Sequence, residues 1–564
     1  MRIAGTVASL ALAAFVSACA SNGIQGASPA EDAQAVDFGN YLSARFAASQ
    51  HDLKDAAQYY HASADADPTN AQLLGLAFFF ATSSGDIEEA GRLADKVVAI
   101  TPDDRAARLT LAVVAMKHHD YAGARKTVAL SAKGPFTSLT VSLIDGWAAA
   151  GMGDKAAATA DIAAMRAQDG ADTMGMFHLA LLSEYLGDKE LAETSYRTVM
   201  NEGATPRVID AYGRFLERNG RTEDATKFYT KFLADAGVKQ LAAAGLARIK
   251  AGTKPDALIT APEDGAAEAL FGIASALTDQ SSTDVSILYL RLALYLRPGL
   301  DLGAVLLADR FESLQKYEDA IDVYRTVDKS SAYYRLASVE IALNEARLDR
   351  NDAAIADLKA LTAADPTDLD AWTALGDTYR STEKFAEASD AYDHAIALIN
   401  PGSAKDWPIF FARAVSEEGA KNWSAAEIDL KKALQLAPNE PSVLNYLGYS
   451  YVDQNRNIPE ALAMLEKALS LKPTDGYIAD SVGWAYFKLG RYADASRTLE
   501  NAVELIPGDP TINDHLGDAY WRVGRKLEAR FQWSHALAFG PDADQKALIE
   551  KKLKDGLGDV DKPK

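Results

Sequence analysis

Proline, glycine and alanine recur along this chain with a period of about 34 residues. In the C-terminal part, prolines follow helix-like segments at Pro438, Pro473, Pro507 and Pro541, spaced 35, 34 and 34 residues apart. A repeat of this length in a chain that is 48% apolar is typical of stacked helical hairpins, each of which buries its apolar face only against its neighbours. The sequence therefore predicts an all-α solenoid rather than several separate globular domains.

Individual repeats carry the residue types that close packing between two helices requires, with small residues where backbones approach and rings where gaps are filled. Trp372, Leu375, Gly376, Tyr379, Ala388, Tyr392 and Ala395 occupy these positions in one repeat. This pattern resembles the tetratricopeptide repeat. Counting from Asp37, we expect a tetratricopeptide-repeat superhelical solenoid of about fourteen helix-turn-helix units. Turns at Asp67–Asn70 and Asp365–Asp368 are expected to end in residues that cap the next helix.

The repeats are expected to form an N-terminal block at 37–250 and a C-terminal block at 266–541. The stretch 251–265 between them contains proline and glycine and lacks a helical face, so it predicts an irregular loop, either a hinge or a partner contact. Residues 542–555 are expected to form a capping helix over the last apolar seam. Residues 556–564 are expected to be a disordered tail.

The chain begins with a segment typical of an export signal. Arg2 precedes an apolar run that is too short to span a bilayer comfortably. Val16-Ser17-Ala18-Cys19 resembles the bacterial lipobox, which implies that 1–18 is a lipoprotein signal peptide and that Cys19 is lipidated. Residues 19–36, rich in small and polar side chains, then indicate a flexible tether. The alternative is an ordinary secretory signal, cut near Ala18 or Ala20.

The resemblance to lipoproteins also carries an expectation about location. In lipoproteins of this kind, an aspartate after the cysteine usually means retention in the inner membrane, and here that residue is Ala20. The resemblance therefore implies a lipid anchor in the outer membrane, with the body of the protein in the periplasm.

Charge and cysteine content exclude several functions. The chain has a net charge of −21 at pH 7, which repels polyanions and makes a nucleic-acid partner improbable. Its single cysteine cannot form an intramolecular disulfide or a cysteine-rich zinc site. The sequence has no phosphate-binding loop, HExxH or GxSxG motif. We therefore expect no catalytic residue, metal or cofactor, and a protein that is not an enzyme.

A candidate binding surface lies on the first helices of the last three repeats. In a tetratricopeptide unit the first helix lines the concave surface, and helical spacing defines which residues share that face. Aromatic and charged side chains alternate there, a composition typical of protein-binding surfaces. The candidate partner-binding residues are Tyr449, Asp480, Trp484, Phe487, Lys488, Asp514, Asp518, Trp521 and Arg522. The alternative is that these rings pack inside the tightly wound solenoid.

The segments Leu444–Tyr449, Asp480–Trp484 and Asn513–Trp521 resemble a family of proteobacterial tetratricopeptide lipoproteins. Some members are outer-membrane adaptors that bring peptidoglycan hydrolases to a periplasmic carboxyl-terminal processing protease. The resemblance implies an anchored adaptor or scaffold that recruits such a protease and its cell-wall hydrolase substrates. The alternative function is a structural scaffold in envelope assembly or envelope-polymer export.

Overall fold

The structure, a computed structural model, describes residues 38–167, 172–235, 237–399 and 403–558. Within these ranges it contains thirty α-helices and no β-strand, which confirms the predicted all-α class. The predicted signal peptide 1–18, Cys19 and the tether 19–36 lie outside the described residues, as does 559–564 of the predicted tail. No described helix is both long and apolar enough to cross a membrane.

The first of two compact units ends at Arg350. Most of its helices pair as helix-turn-helix hairpins, in which consecutive helices pack against each other. In chain order they are α1 (Phe38–Ser49), α2 (Leu53–Ala66), α3 (Ala71–Ser84), α4 (Ile87–Ile100), α5 (Arg105–Lys117), α6 (Tyr121–Val128), α7 (Pro135–Gly151), α8 (Lys155–Ala163), α9 (Asp172–Tyr185), α10 (Lys189–Glu202), α11 (Pro206–Arg218), α12 (Thr222–Phe232), α13 (Lys239–Ala251), α14 (Pro262–Ala276), α15 (Thr283–Leu296), α16 (Asp301–Ser313), α17 (Tyr317–Tyr324) and α18 (Tyr334–Arg347).

The second compact unit begins at Asn351 and ends with the C-terminal helix. That last helix lies where the sequence predicts a capping helix. The helices of this unit are α19 (Asn351–Ala364), α20 (Leu369–Ser381), α21 (Phe385–Leu398), α22 (Trp407–Gly419), α23 (Trp423–Leu436), α24 (Pro441–Asp453), α25 (Ile458–Leu471), α26 (Gly476–Lys488), α27 (Tyr492–Leu505), α28 (Pro510–Arg522), α29 (Lys526–Ala538) and α30 (Ala543–Asp555).

Polar residues in the turns determine where these helices begin. The Asn70 side chain accepts hydrogen bonds from the backbone N–H groups of Gln72 and Leu73 at the start of α3. Asp368 accepts one from Ala371 at the start of α20. Each cap satisfies N–H groups that the first helical turn leaves unpaired. The two turns predicted from the sequence therefore do end in capping residues.

Glycines allow the two helices of a repeat to approach closely. A Cβ atom at Gly483 would lie 2.6 Å from Leu499 Cγ, and one at Gly517 would lie 2.5 Å from Trp533 Cδ1. Both distances are shorter than a van der Waals contact between carbon atoms. The leucine and tryptophan thus fill space that only a glycine leaves open, which is the packing that the repeat pattern predicts.

The boundary between the compact units lies elsewhere than the expected break at 251–265. The chain divides between Arg350 and Asn351, and the irregular stretch covers only 252–261, because α14 begins at Pro262. Pro262 suits the first turn of a helix, where its missing N–H would have no partner. Helices α14 and α15 then pack on α3, α5, α7 and α9, the first helices of earlier repeats. These long-range contacts make 38–350 one unit.

Candidate functional site

The inner face of the first unit is occupied by its own chain. We call α14 and α15, residues 262–296, the inner hairpin, because it lies against the first helices of the earlier repeats. A Cβ atom at Gly265 would lie 2.2 Å from Cδ2 of Trp147, a fully buried ring. The hydroxyl groups of Thr140 and Tyr289 lie 3.2 Å apart. The inner hairpin therefore fills the surface that a partner would otherwise occupy in a solenoid of this kind.

Buried charge pairs hold the inner hairpin in place. Arg207 donates hydrogen bonds of 2.7 Å and 2.5 Å to the two carboxylate oxygens of Glu268. Burial alone would raise the pKa of Glu268, but the guanidinium of Arg207 holds it below its ordinary value. Tyr121 Oη donates to Glu263 Oε1 at 2.7 Å. Glu268 and Glu263 are both buried, and each has a partner on an earlier helix. The inner hairpin is therefore an integral part of the unit.

Helix α15 is also fixed through backbone carbonyl groups. Arg291 Nε donates to the carbonyl oxygen of Ser83 at 3.1 Å, and burial lowers the pKa of Arg291 to about 10. Lys117 Nζ donates to the last carbonyl of α15, that of Leu296, at 3.1 Å. No role was predicted for these residues from the sequence. The feature of the sequence that could have indicated their burial is that α15 is apolar on nearly every side, which is typical of a fully buried helix.

The second unit presents a row of first helices. Helix α20 packs on α22, α24 on α26, and α26 on α28. The nine candidate residues lie on three of these helices, with Tyr449 on α24, Asp480 to Lys488 on α26, and Asp514 to Arg522 on α28. The structure gives them different surroundings: the residues of α24 and α26 other than Asp480 reach solvent, Asp480 is buried, and the four residues of α28 contact the C-terminal segment.

Three rings form a parallel stack across α26 and α28. Trp484 lies between Phe487, at 4.8 Å and 4° between ring planes, and His515, at 4.0 Å and 10°. Lys488 Nζ lies 5.1 Å from the centre of the Trp484 ring, within range of a cation–π interaction. Trp484 and Phe487 are half-buried and Lys488 is exposed, so part of the stack faces solvent.

Tyr449 belongs to the same surface. It is half-buried, and burial raises its pKa to about 12, with the carboxylates of Asp453 and Asp480 acting in the same direction. The phenol therefore stays neutral at physiological pH and can donate a hydrogen bond. We call Tyr449, Trp484, Phe487 and Lys488 the aromatic patch.

Asp480, predicted as a contact residue, is instead buried beneath this stack. Its two carboxylate oxygens lie 2.9 Å and 3.1 Å from His515 Nδ1. Burial alone would lower the pKa of His515, but Asp480 raises it above its ordinary value, helped by Asp514 and Asp518. Asp480 therefore positions the imidazole on which Trp484 lies, and does not itself face a partner.

This ion pair predicts a pH dependence of stability. Because the folded-state pKa of His515 is higher than its unfolded value near 6.5, its contribution to stability is complete below about pH 6.5 and is lost as the pH rises through the folded-state pKa. We expect the free energy of unfolding of the second unit to decrease as the pH rises through this range. His515→Gln should remove the part of the decrease that is due to His515. Urea unfolding at a series of pH values measures it. His535→Gln, at an exposed histidine, is the control and should leave the pH dependence intact.

The two aspartates of α28 pair with the C-terminal helix. Lys552 Nζ of α30 donates to Asp514 Oδ1 and Oδ2 at 2.8 Å and to Asp518 Oδ2 at 2.9 Å. Trp533 Nε1 donates to the other Asp518 oxygen at 2.9 Å. Both aspartates are buried. They stabilise the end of the solenoid and are not on an open surface.

Trp521 and Arg522 contact the same C-terminal segment and are half-buried. The Trp521 ring lies 5.4 Å from that of Trp533, and a Cβ atom at Gly556 would lie 2.1 Å from Trp521 Cζ2. Arg522 Nη1 donates to the carbonyl oxygen of Gly558 at 2.8 Å. The ring of Trp521 thus packs against other parts of the chain, as the alternative prediction states, although it is half-buried, like the ring of Trp484.

The part of the chain that the structure describes contains no group of three or more His, Cys, Asp or Glu side chains arranged to hold a metal ion. The site consists of an aromatic surface with one exposed cation, Lys488. Such a surface can bind apolar and anionic groups of another protein by contact.

Relatives in sequence share short segments with this chain. A stretch of 93 residues is 32% identical to the TPR repeat-containing protein PA4667 of Pseudomonas aeruginosa, and covers 16% of each protein. A stretch of 116 residues is 31% identical to the E3 ubiquitin-protein ligase CHIP of Arabidopsis thaliana, and covers 20% of this chain and 39% of that protein. The chain therefore spans well under two thirds of the length of either relative.

Similar solved structures have low sequence identity. The Cut9–Hcn1 hetero-tetramer of the APC/C is 16% identical with a TM-score of 0.39, over 92% of this chain and 96% of that one. MamA is 23% identical with a TM-score of 0.27, over 30% of this chain and 95% of that one.

Matches to family models identify the type of repeat in three segments of the chain. Two models described as tetratricopeptide repeat match this chain, one at residues 81–136 and the other at 339–403 and 483–544. The matched segments fall in both compact units, among helices that pair as hairpins. These segments are tetratricopeptide repeats, and the fold of the chain is that of an all-α tetratricopeptide-repeat solenoid.

Proposed function

We propose that the protein is a non-catalytic adaptor that binds a protein partner through the aromatic patch of the second unit. The observation that supports this most directly is the contrast between the two units. The inner hairpin fills the inner face of the first unit through Arg207 and Glu268, whereas the stack of Phe487 and Trp484 stays half-buried. Half-buried aromatic rings beside a cation are typical of the centre of a protein-binding surface.

The proposal extends to the location of the protein. The lipobox-like residues 16–19 favour lipidation of Cys19, and Ala20 favours the outer membrane, with the repeats in the periplasm. An anchored solenoid would hold a carboxyl-terminal processing protease and its peptidoglycan-hydrolase substrates close together, which raises their effective concentration. The protein itself would perform no chemistry.

Affinity capture with the anchored full-length protein tests the adaptor function. We expect a periplasmic processing protease and a cell-wall hydrolase to be recovered together, and the hydrolase to accumulate in cells that lack this protein. Recovery of envelope-assembly or polymer-export machinery instead would favour the structural scaffold. Turnover of a substrate by the purified protein alone would refute the proposal.

Replacement of Cys19 tests the anchor. We expect Cys19→Ala to release the protein into the soluble fraction or to trap its uncleaved form, because the thiol is the site at which the lipid would be attached. Membrane fractionation and mass measurement of the mature chain distinguish these forms. Ser21→Ala, two residues further along, is the matched control and should leave the protein on the membrane. A mature Cys19→Ala protein that stays on the membrane would contradict lipidation as its attachment.

A further inference from the structure

The first described helix carries an apolar stripe that no described residue covers. Phe38, Leu42 and Phe46 of α1 are 70%, 62% and 69% exposed. They lie at intervals of four residues and therefore on one face of the helix. The opposite face is packed, with Ala44 and Ala47 buried. A soluble solenoid normally has a polar outer face on its terminal repeat, so this stripe requires an occupant.

We infer that the stripe of α1 lies in the membrane surface, with Phe38, Leu42 and Phe46 inserted among the lipids. This inference rests on the proposed lipid anchor. Eighteen residues separate Cys19 from Phe38, and an extended chain between these two positions spans at most roughly 65 Å. Helix α1 is the first helix that the structure describes after the attachment point, and the anchor confines it near the bilayer.

Charge also fits a lipid surface. The sole charged side chain of α1 is Arg45, which is exposed beside the stripe, whereas the whole chain carries a net charge of −21. An apolar face flanked by a cation is the composition of helices that lie in the interface of membranes with anionic lipids. An acidic surface at this position would be repelled instead.

A second copy of the chain is a poorer occupant. Helix α1 has 12 residues. One face of such a helix offers only about 200 Å², from a length of about 18 Å and a width of about 10 Å. A stable protein interface buries about 800 Å² on each partner. The stripe alone is therefore too small for a dimer, whereas insertion of three side chains adds to a lipid anchor without needing a large area.

Site-specific labelling tests the inference. Cys19 is the only cysteine and, when lipidated, has no free thiol, so a new cysteine is the single site for an environment-sensitive dye. The full-length lipoprotein carrying Phe46→Cys is labelled and incorporated into vesicles of phosphatidylethanolamine and phosphatidylglycerol that contain a shallow spin-labelled lipid. We expect a blue-shifted emission and severalfold quenching. The matched control is Phe531→Cys, at another phenylalanine that is 59% exposed, where the dye should be neither shifted nor quenched.

The possible contrary outcomes are distinguishable. If the protein is on the vesicles but the dye at position 46 is unshifted and unquenched, the inference fails while the anchor stands. If that dye is shifted but not reached by the spin-labelled lipid, protein covers the stripe, either a second copy or residues 19–37, and the inference also fails. If the protein does not attach to the vesicles, the proposed anchor fails and the inference with it.

Discussion

Arg207→Ala is expected to destabilise the first unit by about 3–5 kcal/mol, because it leaves the buried carboxylate of Glu268 without its partner. The two side chains make two hydrogen bonds between an early repeat and the inner hairpin. Glu268 has a side-chain exposure of 2%, so water cannot replace the guanidinium. Urea unfolding, with hydrogen exchange of peptides from 262–276 as the local probe, measures the loss.

Two further variants control this experiment. Arg197 pairs with Glu193 on the exposed surface of α10, so Arg197→Ala is expected to cost no more than about 1 kcal/mol. The double variant Arg207→Met with Glu268→Leu replaces both charges by apolar groups and should recover most of the loss. An Arg207→Ala protein as stable as Arg197→Ala would show that the inner hairpin is not held by this pair.

Trp484→Ala is expected to weaken capture of the partner by about 1–4 kcal/mol, since large rings at the centre of an interface contribute most to affinity. Helical content should not change, because the ring is only half-buried. Titration of the recovered partner against wild-type and variant proteins gives the change in dissociation constant.

Trp372→Ala is the matched control for this variant. Trp372 is also half-buried in the second unit and also stacks on a histidine, His394, at 4.1 Å and 16°. It does not belong to the aromatic patch, so its replacement should leave the affinity within about 1 kcal/mol of the wild type. Equal losses for the two variants would indicate a general effect on packing, and loss of folding in Trp484→Ala would show that this ring belongs to the core.

The repeat architecture was predictable from the sequence because it depends on local chemistry. Gly483 and Gly517 mark close approaches between the two helices of one repeat, and Asn70 and Asp368 mark helix starts. These features recur every 34 or so residues, and their physical reasons operate within a single hairpin. Period and turn chemistry therefore suffice to indicate the class of fold.

The inner hairpin was not predictable in the same way. Arg207 and Glu268 are 61 residues apart, and Ser83 and Arg291 are 208 residues apart, so no repeat period relates them. The apolar sequence of α15 indicated burial but not the surface against which the helix is buried. The expected break at 251–265 followed from local composition, whereas the observed boundary follows from these distant contacts.

The candidate site was predictable in part. Helical spacing correctly placed Trp484, Phe487 and Lys488 together on α26, because spacing on one helix is a local property. It did not reveal that Lys552 of the capping helix pairs with Asp514 and Asp518. The capping helix was predictable from the sequence, but the residues that it covers were not, because they depend on the relative placement of two helices.

Site-specific photo-crosslinking in cells tests the central claim, that the second unit binds a protein partner while the first unit's inner face is filled by its own chain. A photoreactive phenylalanine analogue would replace Tyr449 of the aromatic patch or Tyr295 of the inner hairpin, both half-buried tyrosines. The account predicts adducts with another protein from position 449, and only crosslinks within the chain from position 295. Adducts with another protein from position 295 and none from position 449 would contradict it.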